Sequence, residues 1–310
     1  ERHNDGLDYV PTHKGVLFGH HFAAIAGAGP LVGPVLAAQM GYLPGTLWII
    51  FGVVFAGAVQ DMMVLFVSMR RDGKSLGDIV KQELGTVPGV IASIGILMIM
   101  VIIMAVLALI VVKALVHSPW GTFTIAATMP IALFMGIYTR YIRPGKIGEI
   151  SIVGFILLML AVIYGEDVAK SSIGHWFDLD GIQLTWAIMI YGFVASVLPV
   201  WLLLTPRDYL STFLKIGTIA ALALGIVIVN PALQMPAVTH FIDGSGPVFS
   251  GALFPFLFIT IACGAVSGFH ALISSGTTPK MLENETHVRM IGYGGMLMES
   301  FVAIMALAAA

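Results

Sequence analysis

The run GHHFAAIAGAGPLVGPVLAAQMG, Gly19–Gly41, decides how this chain folds. It is long and apolar enough to cross a bilayer, whose hydrocarbon core of about 30 Å takes roughly 20 residues of helix. Yet Gly27, Gly29, Pro30, Gly33 and Pro34 crowd its centre. Each proline removes a backbone donor and its ring clashes with the preceding turn, so a continuous helix is not expected. A break at membrane depth survives only where protein or a water-filled cavity satisfies the freed groups. Two readings are open: a glycine-lined seam with a proline kink, or a discontinuous helix whose bare backbone faces a substrate or ion. The spacing of Gly27, Gly29 and Gly33 is GxGxxxG and follows no strand, so it is not a dinucleotide fingerprint. Small residues that let helices approach closely are the better account of it.

The rest of the chain has the same character. It is 58% hydrophobic and only 10% charged, with a mean hydropathy of +0.96, where a soluble domain carries about 25% charged residues. Nine spans are expected, near 17–40, 44–69, 88–114, 122–139, 147–165, 184–204, 209–229, 251–273 and 291–310. Residues 1–16 then form a cytoplasmic N-terminal segment and 17–310 a transmembrane domain. A chain that opens on Glu1 and stops inside its ninth apolar run reads as a piece of a longer polypeptide. Cys263 is the single cysteine and lies within a span, which excludes disulfides and cysteine-based metal sites within this piece. Basic residues are scattered over five loops, which does not resemble a nucleic-acid surface.

Orientation follows from where those basic residues fall, because Lys and Arg are retained on the cytoplasmic side. Of 15 Lys and Arg, 13 occupy one alternating set of loops: Arg2, Lys14, Arg70, Arg71, Lys74, Lys81, Arg140, Arg143, Lys146, Arg207, Lys215, Lys280 and Arg289. Only Lys113 and Lys170 fall on the other side. The N-terminus is therefore inside and span one runs outward. Span six, with Gly192 early and Pro199 in its middle, runs inward. Interrupted segments at corresponding positions of two halves point to a transporter site. Spans one and six are five apart, as a five-plus-five inverted repeat of the LeuT/APC type requires.

Ionisable groups inside a bilayer cost about 2.5–3.5 kcal/mol each on insertion scales, so each needs a reason. Gln60 and Asp61 lie two-thirds through span two; Asp61 is either a proton carrier or a helix cap paired with an arginine such as Arg70. Glu299 sits mid-span in GYGGMLMESFVAIMA with no opposite charge nearby, so its partner comes from another helix. His20 and His21 precede the break in span one and suit a cytoplasmic gate or substrate contact. No metal site is expected; His20, His21 and Asp61 are the only alternative ligand set. Span eight is the densest polar stretch, with Ser267, His270, Ser274 and Thr277 roughly on one helical face and Ser275 and Thr278 beside them. That stripe lines a pathway, or else it makes interhelical hydrogen bonds. Ser274 and Ser275 are expected close to the break in span one.

Several stretches carry a family likeness: HNDGLDYVPT (His3–Thr12), VLFGHHFAAIAGAGPLVGPVLAAQMGYLPG (Val16–Gly45), AGAVQDMMVLF (Ala56–Phe66), SPWG (Ser118–Gly121), LFMGIY (Leu133–Tyr138) and RPGKIGE (Arg143–Glu149). PRDYLSTFLKIG (Pro206–Gly217), FPFLFITIACGAVSGFHALISSGTTPKML (Phe254–Leu282) and IGYGGMLMESFVAIMAL (Ile291–Leu307) complete it. Together they resemble the carbon starvation protein A (CstA) family of bacterial inner-membrane transporters over nearly the whole chain. The resemblance implies a multi-pass protein of the bacterial inner membrane that imports peptides, or pyruvate in close relatives, by secondary active transport driven by protons. It implies no enzyme class and no cofactor, and the chain corresponds to the conserved N-terminal domain without its first helices.

The two lines combine into one expectation. It is a proton-coupled importer, with Na⁺ as the alternative ion, of peptides or small carboxylates. The amides near Gly27–Val32 would receive a carboxylate, and Asp61, His270 and Glu299 are the proton carriers. A nutrient-sensing channel or receptor is the rival.

Overall fold

A computed structural model describes residues 4, 5 and 9–310. Arg2 and His3, used above for orientation and resemblance, lie outside the described residues. The described chain is all-helical; its one β-type contact is an isolated bridge between Thr12 and Leu282. Helix α1 (Lys14–Ile25) and helix α2 (Gly29–Met40) form a pair bent by 44°. Then come α3 (Tyr42–Arg70), the short α4 (Leu76–Leu84), α5 (Thr86–Leu115), α6 (Pro119–Ile142) and α7 (Ile147–Lys170). The chain continues through α8 (Gly181–Val197) and α9 (Leu204–Val229). Short pieces follow at Leu253–Leu257, Phe258–Thr260 and Ala262–Ala265, then α10 (Gly268–Ser274), α11 (Thr278–Met281) and α12 (Glu285–Ala309).

Six of these helices, α3, α5, α6, α7, α9 and α12, are long and apolar enough to cross a membrane, and the bent pair makes a seventh candidate. The protein is a multi-pass membrane protein. Two expected spans are not built as long helices. The one near 184–204 is α8, 17 residues long, which stops where Leu198 turns extended at ψ 148°. Pro199 causes this, since its ring excludes the preceding residue from the helical region. The one near 251–273 is a series of short helical pieces, so its polar residues do not share a single continuous helix.

The chain divides into two compact units. One contains Pro11–Glu83 and Leu214–Ala310, and its core is built on small residues. A Cβ at Gly29 would come within 2.6 Å of the Cys263 sulfur, and one at Gly264 within 2.6 Å of the Ala303 methyl. Gly33 lies against the Thr260 carbonyl and Gly57 against that of Ala265. At these points the backbones of α2, α3 and α12 touch the 258–265 segment, as small residues allow in a membrane protein. Around the contacts pack Ala37, Met40, Ile49, Leu257, Ile261 and Ala303.

In the other unit, α6 and α7 pair along Gly154, which faces Met135, and Gly165, which faces Trp120. Trp120 donates its indole N–H to the Val162 carbonyl at 3.0 Å. Helix α5 is the most apolar of the set, and Gly89 is its one buried residue. An all-round apolar helix of that kind suits hydrocarbon.

Gly33→Val would drive two methyls at the Thr260 carbonyl, whereas a Cβ at Gly95 on α5 meets nothing within 4 Å. In the full-length protein in detergent, Gly33→Val is expected to cost about 1–3 kcal/mol and lower the melting temperature. Gly95→Val is expected to leave it unchanged.

Candidate functional site

Span one breaks between its two helices, at Ala26–Ala28. The amide of Gly27 turns back to the Ile25 carbonyl at 2.8 Å, and Leu31 and Val32 both donate to the Ala28 carbonyl. Pro30 does not itself interrupt a helix; it sits in the first turn of α2, where its missing N–H costs nothing. Pro34 is carried inside α2. The break therefore lies around Gly27, the first glycine of the cluster, ahead of both prolines. Of the amides expected to receive a carboxylate, only those of Ala28 and Gly29 have no acceptor in the described fold. Gly27 is exposed beside them.

A second break in the same unit follows Ala262–Ala265, where Val266 and Ser267 are extended (φ −150° and −113°). Ser267 is buried, and its carbonyl, left out of a helix, accepts from the Gln60 side chain at 2.7 Å. Pro199 belongs to the other unit, in the turn after α8, where its carbonyl accepts from Leu202 at 3.0 Å.

These two interruptions flank a buried charge cluster. His270 on α10 is fully buried and holds Asp61 of α3 at 2.9 Å through Nδ1. Its Nε2 lies 2.8 Å from Glu299 of α12, at ion-pair distance. All three side chains have zero exposure. Asp61 is thus neither a helix cap nor Arg70's partner, because Arg70 pairs with Glu285 outside the cluster. The partner that Glu299 needed from another helix is the same imidazole. Gly292 makes this convergence possible: a Cβ there would stand 2.8 Å from the Met62 backbone, so α12 reaches α3 beside Asp61 only without one.

The other predicted residues are spread along the same wall. His21 meets Thr278 at 2.9 Å, both fully buried, and His20 is buried next to it. Ser274 is fully buried. Ser275 does not meet the break in span one; it accepts from the Leu76 amide at 3.2 Å and so anchors the start of α4. The residue that faces Gly29 there is Cys263. Thr277 is half-buried in the turn before α11.

Sequence reading missed two residues. Cys263 is not an isolated thiol: its sulfur donates to Glu299 at 3.4 Å and lies 3.9 Å from His270 Nε2. Cys263, His270 and Glu299 are the one grouping of metal-ligand chemistry among the described residues, in place of His20, His21 and Asp61. As it stands it is an ion-pair network, since His270 already faces a carboxylate from each ring nitrogen. The second is Lys215. It is not in a loop but inside α9, about 16 Å along the axis from Leu204 at 1.5 Å per residue, and its ammonium donates to the Ala23 and Ala26 carbonyls at 2.8 Å each.

Chemically, the cluster can hold and exchange protons among an imidazole and two carboxylates. Removing the histidine strands both carboxylates. His270→Leu is expected to destabilise the full-length protein by about 3–5 kcal/mol, the usual cost of breaking a buried pair. The triple variant Asp61→Asn, His270→Leu, Glu299→Gln removes the charges together and should recover part of that loss, read as melting temperature in detergent.

The family model described as "Carbon starvation protein CstA" matches residues 1–310. The peptide transporter CstA of Escherichia coli strain K12 is 73% identical over 310 residues, 100% of this chain and 44% of that protein. The pyruvate/proton symporter BtsT of the same strain is 68% identical over 308 residues, 99% of this chain and 43% of that protein. The peptide transporter CstA of Campylobacter jejuni is 66% identical over 308 residues, 98% of this chain and 44% of its own length. The chain thus spans less than half the length of these relatives. No solved structure matches it.

Proposed function

This chain belongs to the carbon starvation protein CstA family, and on that premise we propose that it is the core of a proton-coupled importer of peptides. Pyruvate is the alternative substrate, supported by the 68% identity to a relative named as a pyruvate/proton symporter. The observation that carries the reading is the imidazole of His270 held between Asp61 and Glu299 with no exposure to solvent.

The electrostatics of that cluster suit coupling. With both carboxylates ionised and the imidazole protonated, the cluster has a net charge of −1; one more proton makes it neutral. A buried net charge is expensive in a low-dielectric interior. Loading a proton therefore removes the penalty that holds the helices in one arrangement, and α3, α10 and α12 all carry a member of the cluster. Movement is then possible only for the loaded form. The two breaks, at Ala26–Ala28 and Val266–Ser267, are the hinges. A peptide C-terminus or the pyruvate carboxylate docks at the open amides of Ala28 and Gly29, where the start of α2 favours negative charge.

In this reading the protein lies in the bacterial inner membrane with the Lys14 end cytoplasmic, as the alternating basic loops suggest. Lys215 must be dropped from that count of 13, and the remaining loops still alternate. Spans one to five and the spans from six onward form inverted halves, and Pro199 marks the break corresponding to that of span one. The protein performs transport and no covalent chemistry.

The test is accumulation of a labelled dipeptide, and separately of pyruvate, by the full-length protein in proteoliposomes under an inward proton gradient. Uphill uptake abolished by a protonophore is expected. Asp61→Asn, His270→Gln and Glu299→Gln should each lower gradient-driven accumulation at least tenfold. If all three retain normal pH-dependent uptake, the cluster is not the coupling site.

A further inference from the structure

The lysine missed by sequence reading sits where a membrane helix ends inside the bilayer. The last carbonyls of any helix lack intrahelical partners, and in α1 the break makes two of them conspicuous. The Ala23 carbonyl would ordinarily accept from the amide of Gly27, but that amide turns to Ile25. The Ala26 carbonyl would ordinarily accept from residue 30, which is Pro30 and has no N–H. Both oxygens instead accept from the Lys215 ammonium, at 2.8 Å each. Beside it on α9, Ile216 and Ile219 pack with Phe22 and Ala26 of span one and with Val302 of α12.

Bare carbonyls at the C-terminal end of a half-helix form a cation seat, because the helix dipole places partial negative charge there and the oxygens replace hydration. In a transporter such a seat is ordinarily a place for a coupling alkali-metal ion. We propose that Lys215 is a tethered cation that fills this seat permanently, so that the protein has no sodium site at the break of span one. The consequence is a sodium-indifferent transporter in which the negative end of the break is neutralised and only its positive end, at Ala28 and Gly29, remains for a substrate carboxylate. The inference rests on the transport reading for that consequence but not for the seat itself, so the experiment reads stability before uptake.

The probes are sodium chloride, N-methylglucamine chloride and methylammonium chloride, and the protein is the full-length chain in detergent. The wild type is expected to melt at the same temperature in all three salts. Lys215→Gly empties the seat: it should melt several degrees lower in N-methylglucamine and recover, saturably, in sodium or methylammonium. Lys215→Arg keeps the charge and should fold and remain indifferent to sodium, which covers the case in which the glycine variant does not accumulate. Sodium-dependent stabilisation of the wild type would overturn the proposal. So would a Lys215→Gly protein that melts like the wild type or ignores both cations, or a Lys215→Arg protein that does not fold. Uptake by proteoliposomes in sodium-free medium then separates the two ideas. A protein that is sodium-indifferent yet transports nothing leaves the seat standing and removes the transport reading.

Discussion

Carboxylates buried in the interior of a membrane protein need a proton, a hydrogen bond or a counter-charge, and here two of them share one imidazole. Asp61 takes Nδ1 of His270 and Glu299 lies against Nε2. An imidazole has two nitrogens on opposite edges, so a single side chain can tie α3 to α12 through α10. That geometry sets demands on the surrounding backbone. Helix α12 has to reach α3 beside Asp61, which Gly292 permits. The chain carrying His270 has to pass close to α2 and α12 at Cys263 and Gly264, which Gly29 and the Ala303 methyl permit. The many glycines of the unit are the steric condition for one buried cluster, and a Cβ at any of those contacts displaces its walls.

The same economy of backbone explains why helices stop where they do. A helix that ends in hydrocarbon must satisfy its terminal groups from elsewhere. At the first break Lys215 supplies donors to the carbonyl end. At the second, the Gln60 amide caps the stranded Ser267 carbonyl. Gln60 precedes Asp61, so α3 offers one side chain to the backbone of the break and the next to the histidine beyond it. α3 itself contains a wide turn at Val53–Gly57, of the kind often found at functional sites. Rotation of the residues after that turn re-aims Gln60 and Asp61 together.

What could be read from the sequence, and what could not, divides along physical lines. The break in span one was legible because glycine and proline act locally, and Asp61, His270 and Glu299 were legible one by one because charge in an apolar run is costly. Their pairing was not legible. Arg70 lies near Asp61 along the chain, while His270 is 209 residues away, and no periodicity reports that separation. The break at Val266–Ser267 contains no proline; its only signals are Gly264 and Gly268 on either side. The short α4 did leave a signal, Ser75 followed by Asp78, and the Ser75 hydroxyl does accept from the Asp78 amide at 3.3 Å.

Lys215 is the more instructive miss. Counting basic residues by loops assumes that lysine in a membrane protein belongs at the surface, and the rule holds because an ammonium is ordinarily too costly inside. The cost falls when carbonyl oxygens replace water, and a helix broken at Ala26–Ala28 exposes such oxygens at the depth a mid-helix lysine reaches. The proline that leaves the Ala26 carbonyl without a donor and the lysine that supplies one are 185 positions apart (215 − 30). Each is anomalous alone: a proline near the middle of a span, and a lysine well inside one. Together they satisfy each other. A lysine inside a span that a count by loops assigns to the surface, facing an apparent exception to helix continuity, is therefore itself evidence that the two segments meet.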